Sequence, residues 1–275
     1  MKRISGAARL AGVTGWPVAQ SRSPLLHTLW LERYGINGAY VPLPIRPEDF
    51  SSTLPALARA GFVGLNVTIP HKEAAFALCD QLDESARLAG AVNTLVFTPQ
   101  GIQGSNSDGY GFLANLRQHG VNPAAGPVLI LGAGGAARGI GAALLALGVE
   151  VTFTNRTPER AQALAASLSP ARVLPWERRG EALADYALLV NSTALGMVGK
   201  PALEISLARA PSSLVVADII FTPLETALLC AARARGLKAV EGLGMLLHQA
   251  VPGFAAWFGV TPQVDEALYQ QVAAC

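Results

Sequence analysis

The segment Gly132-Ala133-Gly134-Gly135-Ala136-Ala137 follows a short apolar run, Val128–Leu131, and leads into a longer one, Ala136–Leu147. The first run reads as a buried strand and the second as a helix. A strand that runs straight into a glycine-rich turn and out into a helix commits this part of the chain to a βαβ unit and a parallel sheet. The turn has the spacing Gly-x-Gly-x-x-Ala. Its first glycine permits a tight bend, its second lets backbone N–H groups approach a pyrophosphate, and the small third residue lets helix and strand pack closely. The helix start then faces a diphosphate with its partial positive charge. The segment is thus built to hold a dinucleotide, with Gly132, Ala133, Gly134, Gly135 and Ala136 around the diphosphate.

The end of the next strand, Val149–Thr154, selects among dinucleotides. NAD calls for an acidic residue there, to bind the ribose hydroxyls. Here the strand runs into Asn155-Arg156-Thr157, with Arg160 one helical turn further on. Guanidinium groups match phosphate geometry bidentately, so NADP is the expected cofactor. Further strand ends supply candidate walls for the nicotinamide half: Thr193 in Asn191-Ser192-Thr193, Ile219, and Gly242 near Gly244.

Strand-like and helix-like segments alternate along the whole chain. Strands are expected at Leu10–Gly15, Ala39–Ile45, Phe62–Ile69 and Ala91–Phe97, with helices opening at Ser23-Pro24 and covering Pro47–Ala60 and Lys72–Leu82. Ser23 is read as the N-cap of its helix, with Pro24 at the first helical position. After a composition shift near Gly104–Asp108, a helix is expected over Gly109–Gln118. Beyond the glycine-rich turn come a helix after Thr157-Pro158, strands at Tyr186–Asn191 and Leu214–Ile220, a helix from the capping box Thr222-Pro223-Leu224-Glu225 to Gly236, and the strand Leu237–Val240. The fold class is α/β in two domains. One is an N-terminal α/β substrate domain with a mostly parallel sheet, over 1–106 plus 245–275. The other is a Rossmann-type doubly wound NADP domain over 107–244.

Composition narrows the partners. The 21 Lys and Arg residues nearly balance 19 Asp and Glu, and no basic stripe exists, so nucleic acid is excluded as a partner. The longest uncharged apolar stretch, Gly139 to Val149, is too short to span a bilayer, which takes roughly 20 residues. Met1-Lys2-Arg3-Ile4 has the charge of a signal-peptide start, yet Arg9 interrupts the apolar segment behind it. Cys79, Cys230 and Cys275 are odd in number and widely spaced, which fits a reducing cytoplasm. His27, His71, His119 and His248 have no metal-ligand spacing, and no metal is expected. The partner is a small molecule, and the chain is expected to act as a monomer or homodimer.

The chemistry-bearing stretch is Asn66-Val67-Thr68-Ile69-Pro70-His71-Lys72, which sets an ammonium just past a strand of short polar residues. A second polar stretch, Asn106-Ser107-Asp108-Gly109, offers a carboxylate. A proton-handling pair beside a redox cofactor points to hydride transfer at an alcohol carbon. Reducing a ketone requires a proton for the developing alkoxide, and a lysine ammonium both donates it and stabilises the charge.

Seven segments together resemble the shikimate dehydrogenase family, in the family's order. They are Gly15-Trp16-Pro17-Val18 with Ser21-Arg22-Ser23-Pro24 and His27; Asn66–Lys72; Gly90-Ala91-Val92-Asn93-Thr94; Asn106–Gly109; the glycine-rich turn; Asn155-Arg156-Thr157; and Glu241-Gly242-Leu243-Gly244-Met245-Leu246 with Gln249. The resemblance implies an NADP-dependent interconversion of 3-dehydroshikimate and shikimate, in the route to chorismate and the aromatic amino acids. It makes Lys72 and Asp108 the catalytic pair and places Ser21, Ser23, Asn66, Thr68, Asn93, Phe221 and Gln249 around the substrate. Two positions depart from the family pattern. Phe221 stands where a tyrosine is usual, and Ser107 where threonine is usual. The missing phenol keeps open a relative acting on quinate or another hydroxylated ring acid. A catalytically idle NADP-sensing module is a further alternative, against which both Lys72 and Asp108 are retained.

Overall fold

Val128–Leu131 is apolar at every position, and both faces of the strand it forms are covered, since successive side chains point to opposite sides of a sheet. Val128 and Ile130 enter one core with Ile140, Phe153 and Leu164. Leu129 and Leu131 enter another with Leu189, Val216 and Leu229. Each such side chain, fully buried, contributes about 1.5–3 kcal/mol. The computed structural model describes residues 4–274. Met1-Lys2-Arg3, which carries the signal-like start, and Cys275 lie outside the described residues.

The chain divides into two compact units, one ending at Ser107 and resuming at Gln249, the other spanning Asp108–His248. The first contains β1 (Arg9–Gly15), α1 (Ser23–Arg33), β2 (Gly38–Pro44), α2 (Phe50–Arg59), β3 (Phe62–Val67), α3 (Lys72–Leu78), β4 (Gln81–Leu82), α4 (Glu84–Ala89), β5 (Thr94–Thr98) and β6 (Gly101–Ser105). Its six-stranded sheet has the order β2-β1-β3-β5-β6-β4. β1 is parallel to β2 and β3, β4 is parallel to β6, and β5 runs antiparallel to β3 and β6. The carboxyl ends of β1, β3 and β6 therefore share one sheet edge with the amino end of β5.

The second unit contains α5 (Asp108–Gln118), β7 (Val128–Leu131), α6 (Gly135–Ala146), β8 (Val151–Thr154), α7 (Pro158–Ser167), β9 (Arg172–Val173), β10 (Leu188–Asn191), β11 (Val215–Asp218), α8 (Ala227–Ala234) and β12 (Lys238–Val240). Its strands, in the order β12-β11-β10-β7-β8-β9, are all parallel. α9 (Leu243–Phe258) begins in this unit and ends in the first, where α10 (Glu266–Ala273) follows. Asp265 caps α10 through the Leu268 amide and pairs with Arg33 of α1 at 2.9 Å; both contacts hold its carboxyl below the usual range. No helix of the described chain is long and apolar enough to cross a membrane.

Local structure departs from the sequence expectation at several places. Ser23 is the first helical residue of α1 rather than its N-cap; Arg22 holds the cap position and makes no side-chain cap bond. The helix expected over Lys72–Leu82 stops at Leu78, because Gln81 and Leu82 pair with Gln103 and Gly104 instead. Thr222–Glu225 is not a capping box: Glu225 pairs with Arg233, and α8 starts later, capped by Thr226. α4, β6 and β9 have no counterpart among the expected elements. α4 is held by Asp83, whose carboxylate accepts from the Ala86 amide at 2.8 Å.

A histidine lies among the aromatic core residues of the first unit. His27 is 0% exposed, stacked on Tyr40 at 3.9 Å and edged by Trp30. Neither ring nitrogen has a hydrogen-bond partner of good geometry, though the Asn66 amide lies nearby. Burial pushes the imidazole down to about 3, and Asn66 offsets this only in part. Such a histidine is neutral when folded and charged when unfolded in acid. Its contribution is complete above the unfolded value near 6.5 and falls as pH drops toward about 3. Replacing His27 by Phe should remove this dependence. Urea melts near pH 7.5 and pH 5 should show the variant gaining about 2 kcal/mol on the native protein at the lower pH. Parallel losses in both proteins would mean that His27 takes up its proton inside the fold.

Candidate active site

In the first unit the polar residues gather where strands end. Ser21 and Ser23 follow β1; Ser21 Oγ accepts from the Ser23 amide at 3.3 Å, so its own proton is directed elsewhere. Asn66 lies within β3, and Thr68 lies just beyond it, its amide bonded to Thr14 O at 2.9 Å. His71 is buried, stacked on Phe50, and donates from Nε2 to the Ile45 carbonyl at 2.8 Å. That anchor fixes the start of α3, whose first residue is the half-buried Lys72. The Lys72 carbonyl accepts from the Val92 amide at 2.9 Å, which ties α3 to the residue before Asn93.

Direct bonds link several of these groups. Asn66 Nδ2 donates to Asn93 O at 3.2 Å, and Tyr40 Oη donates to Asn66 Oδ1 at 2.6 Å. Ser107 bonds Asn93 Oδ1 through both its amide and its hydroxyl, at 2.9 and 3.1 Å, and reaches Gln249 Oε1 at 3.5 Å. Asn66, Asn93, Ser107 and Gln249 thus form one cluster, while Ser21, Ser23, Thr68 and Lys72 follow the ends of β1 and β3. Sequence reasoning had no role for Tyr40, His71 or Thr94. Their signal was indirect, a polar residue inside an otherwise apolar strand or beside a motif.

In the second unit the sheet reverses its order between β7 and β10, the point at which open α/β sheets bind ligands. Gly132 sits there with a φ of +109°, and a Cβ on it would meet Ser192 Oγ at 2.7 Å. Ser192 in turn donates to the Leu131 carbonyl at 2.7 Å, so only glycine fits. Gly134 occupies the N-cap position of α6 without a side-chain cap, and a Cβ there would meet nothing within 4 Å. Ala137 is 0% exposed, as close helix–sheet packing requires. These residues fit a dinucleotide: exposed backbone N–H groups at a helix start with no side chain over them. Ala133 and Ala136 are half-buried beside them.

At the end of β8, Asn155 donates to Thr157 O at 2.9 Å, and Thr157 holds the N-cap position of α7 without a side-chain cap bond. Arg156 and Arg160 are exposed. Thr193 bonds Asn191 Oδ1 at 2.7 Å, while Ile219 and Phe221 are half-buried past β11. Gly242 is buried against the Ile219 backbone. Asp108 is buried as the first residue of α5.

A buried carboxylate organises these loops. Asp218 accepts from Asn191 Nδ2 at 3.1 Å, the Ile220 amide at 3.1 Å and Thr226 Oγ1 at 2.8 Å. Burial pushes its carboxyl up, and these donors pull it back.

A dinucleotide cradle at a sheet's reversal point, carried in one chain with an α/β unit edged by neutral hydrogen-bonding groups and a lysine, defines a two-unit nicotinamide-dependent oxidoreductase. Known proteins narrow the class. Residues 13–95 match the shikimate dehydrogenase substrate binding domain, 116–226 the shikimate / quinate 5-dehydrogenase model, and 242–268 the shikimate 5'-dehydrogenase C-terminal domain. The shikimate dehydrogenase (NADP(+)) of Acidiphilium cryptum is 68% identical over 98% of both chains. Shikimate 5-dehydrogenase from Thermus thermophilus, solved with NADP(H) and shikimate, superposes with a TM-score of 0.87 at 38% identity, over 97% of this chain and 98% of that one. Quinate dehydrogenase from Corynebacterium glutamicum, solved with NAD, gives 0.88 at 29% identity, over 97% and 98%. This chain belongs to the shikimate dehydrogenase family.

Thr226 offers a test of the second unit's organisation. Its hydroxyl both caps α8 and bonds Asp218. Replacement by Val removes a cap and a bond to a buried acid, and should cost about 2–4 kcal/mol in urea unfolding. Ser at the same position should recover most of that. A Val variant as stable as the native protein would show that Asp218 does not depend on this hydroxyl.

Proposed function

We propose that this chain reversibly reduces 3-dehydroshikimate to shikimate with NADP, using Lys72 and Asp108 as the proton-handling pair, as part of aromatic amino acid biosynthesis. The observation that carries the reading is the polar edge of the first sheet. It collects Ser21, Ser23, Asn66, Thr68 and Asn93 beside one lysine, in a chain 68% identical to a shikimate dehydrogenase (NADP(+)). A ring acid with several hydroxyls needs partners that donate and accept at short range, and small hydroxyl and amide groups do both. Gln249 joins them through Ser107.

NADPH, when bound, supplies the hydride. Reduction of the ring ketone leaves an alkoxide; the Lys72 ammonium donates a proton to it, and Asp108 accepts from a neighbouring substrate hydroxyl and holds the ammonium. Gly132, Ala133, Gly134, Gly135 and Ala136 hold the diphosphate, and Asn155, Arg156, Thr157 and Arg160 hold the adenosine phosphate. Thr193, Ile219 and Gly242 line the nicotinamide side. The absence of a pairable cysteine spacing favours a cytoplasmic setting, with the chain as a monomer or homodimer.

Phe221 favours a second reading, in which quinate or a related acid is preferred. It withholds a hydroxyl that a carboxylate would otherwise accept from. Turnover of shikimate and quinate, each with NADP and NAD, separates the two. Shikimate with NADP is expected to give the highest kcat/KM. Lys72→Met should lower kcat about 10²–10⁴-fold with a smaller change in KM. Near-native turnover by Lys72→Met would remove Lys72 from the chemistry, and tight NADP binding with no turnover of any ring acid would point to the idle module.

Arg156→Ala and Arg160→Ala should each raise the apparent constant for NADP about tenfold, the worth of a charged hydrogen bond, while that for NAD stays nearly unchanged. Equal losses with both cofactors would show that these arginines do not read the phosphate.

A further inference from the structure

Both ring nitrogens of His119 face acceptors. Nδ1 lies 2.9 Å from the Asn115 carbonyl, one turn back along α5, and Nε2 lies 3.4 Å from Glu241 Oε2. A carbonyl and a carboxylate only accept, and a neutral imidazole has one proton for two nitrogens. The neutral ring therefore sets a lone pair against one of these oxygens, and only the imidazolium serves both. The bond to Glu241 accordingly raises the imidazole above its ordinary value; burial opposes it, the Asn115 carbonyl adds to it, and the Lys238 ammonium of β12 opposes it. His248 of α9 is pushed down by burial and by His119, and its Nε2 meets Gln118 Oε1 at 2.7 Å. Glu241 opens the turn that joins β12 to α9, and a second bond ties that turn to α5: Asn115 Nδ2 donates to the Glu241 carbonyl at 2.8 Å. Asn115 is 2% exposed, and a Cβ on Gly244 would overlap its Oδ1, so the turn comes this close only with glycine at 244. Between Glu241 and Gly244 lies Gly242, buried against the Ile219 backbone.

We propose that His119 is a positioning residue for NADP: as an imidazolium it clamps the turn that carries Gly242 to α5, and the nicotinamide half binds best while that proton is in place. This rests on the reading of Gly242 as a wall of the nicotinamide site. The Asn115 bond does not depend on pH and keeps the turn beside α5 throughout. Loss of the His119 proton removes the second tie and turns a lone pair toward the Glu241 carboxylate. Because the folded value is raised, the clamp is complete below the ordinary histidine value of 6.5 and fades as pH rises through the raised one. The His119 side chain is 30% exposed, so the effect is screened and modest. On the proposed function, the glycine-rich turn and residues 155–160 hold the rest of the cofactor, and none of them belongs to this turn.

The test measures Kd for NADP and for adenosine 2′,5′-bisphosphate, near pH 6 and near pH 9. The second probe carries the same ribose phosphate but no nicotinamide, so the ratio of the two constants cancels the titration of that phosphate. In the native protein the ratio of Kd for NADP to Kd for the fragment should rise about threefold between the two pH values, the worth of a partly exposed ion pair. His119→Phe, neutral throughout, should show the raised ratio at both. His119→Arg, charged throughout, should keep the low ratio at both. A rise that persists in both variants assigns the titration to Lys238, His248 or another group and overturns the proposal. A flat native ratio, with NADP bound more tightly than the fragment, overturns it too while leaving the nicotinamide site standing. If NADP is bound no more tightly than the fragment at either pH, the underlying reading of Gly242 fails, and this inference with it. Should His119→Phe fail to fold, His119→Ala carries the same expectation.

Discussion

One pairing register holds the polar edge of the first sheet in place. β3 and β5 align Leu65 with Leu95 and Asn66 with Thr94, and β5 and β6 align Thr94 with Ser105. Directly opposed residues in an antiparallel pair have Cβ atoms about 4.5–5.5 Å apart, which is what brings the Asn66 amide within reach of the Thr94 hydroxyl. The lock on this register is apolar. Leu65 and Leu95 are both 0% exposed and share one core with Phe50, Leu54 and Val92. A slip by one residue would turn both leucines out of that core and send Asn66 into it. Hydrophobic burial therefore chooses the register, and the register places the hydrogen bonds.

The second unit divides its labour the same way. Apolar residues in β7, β10 and β11 bury both faces of the sheet, while the polar residues at the carboxyl ends of β10 and β11 are left to organise loops. Asn191 and Asp218 are opposed in the ladder and joined side chain to side chain. A buried carboxylate is costly unless its oxygens are well bonded, and Asn191, Ile220 and Thr226 supply the donors. In return the acid holds the start of α8 and the turn after β11 in fixed positions.

The second unit was the more legible in the sequence, because its strands are continuous apolar runs ended by glycine or short polar residues. Val128–Leu131 was bounded correctly, and α6 began one residue earlier than expected, at Gly135. The first unit was harder. β6 is Gly-Ile-Gln-Gly-Ser, whose two glycines carry little strand signal, and it forms because β5 offers it a partner. The helix from Lys72 read through to Leu82 because Cys79-Asp80-Gln81-Leu82 has no helix breaker, yet Asp80 instead accepts from the Ile102 amide at 2.7 Å and directs the chain to the sheet. Capping signals misled at Ser23 and Thr222, since a hydroxyl before a proline marks a helix start only to within a turn. Motif residues were recoverable from the chain alone; their supports were not. Tyr40, Thr94 and Thr226 act through partners 26, 28 and 8 residues away, and such pairings exist only once the strands have aligned.

The two units offer different chemistry to their ligands, and Phe221 sharpens the difference. The second unit presents a helix start and two arginines, groups that answer phosphate. The first presents amides and hydroxyls whose donor and acceptor directions are set from within, groups that answer a polyol. On the proposed function, phenylalanine at 221 leaves recognition of the ring acid more heavily to Ser21, Ser23, Asn66 and Asn93. A site that relies on fewer neutral hydrogen bonds depends more on each being correctly oriented, because a misdirected amide offers repulsion in place of attraction. The buried chain from Tyr40 to Ser107 removes that freedom before a substrate arrives, and the ordering entropy of those side chains is met in folding rather than in binding.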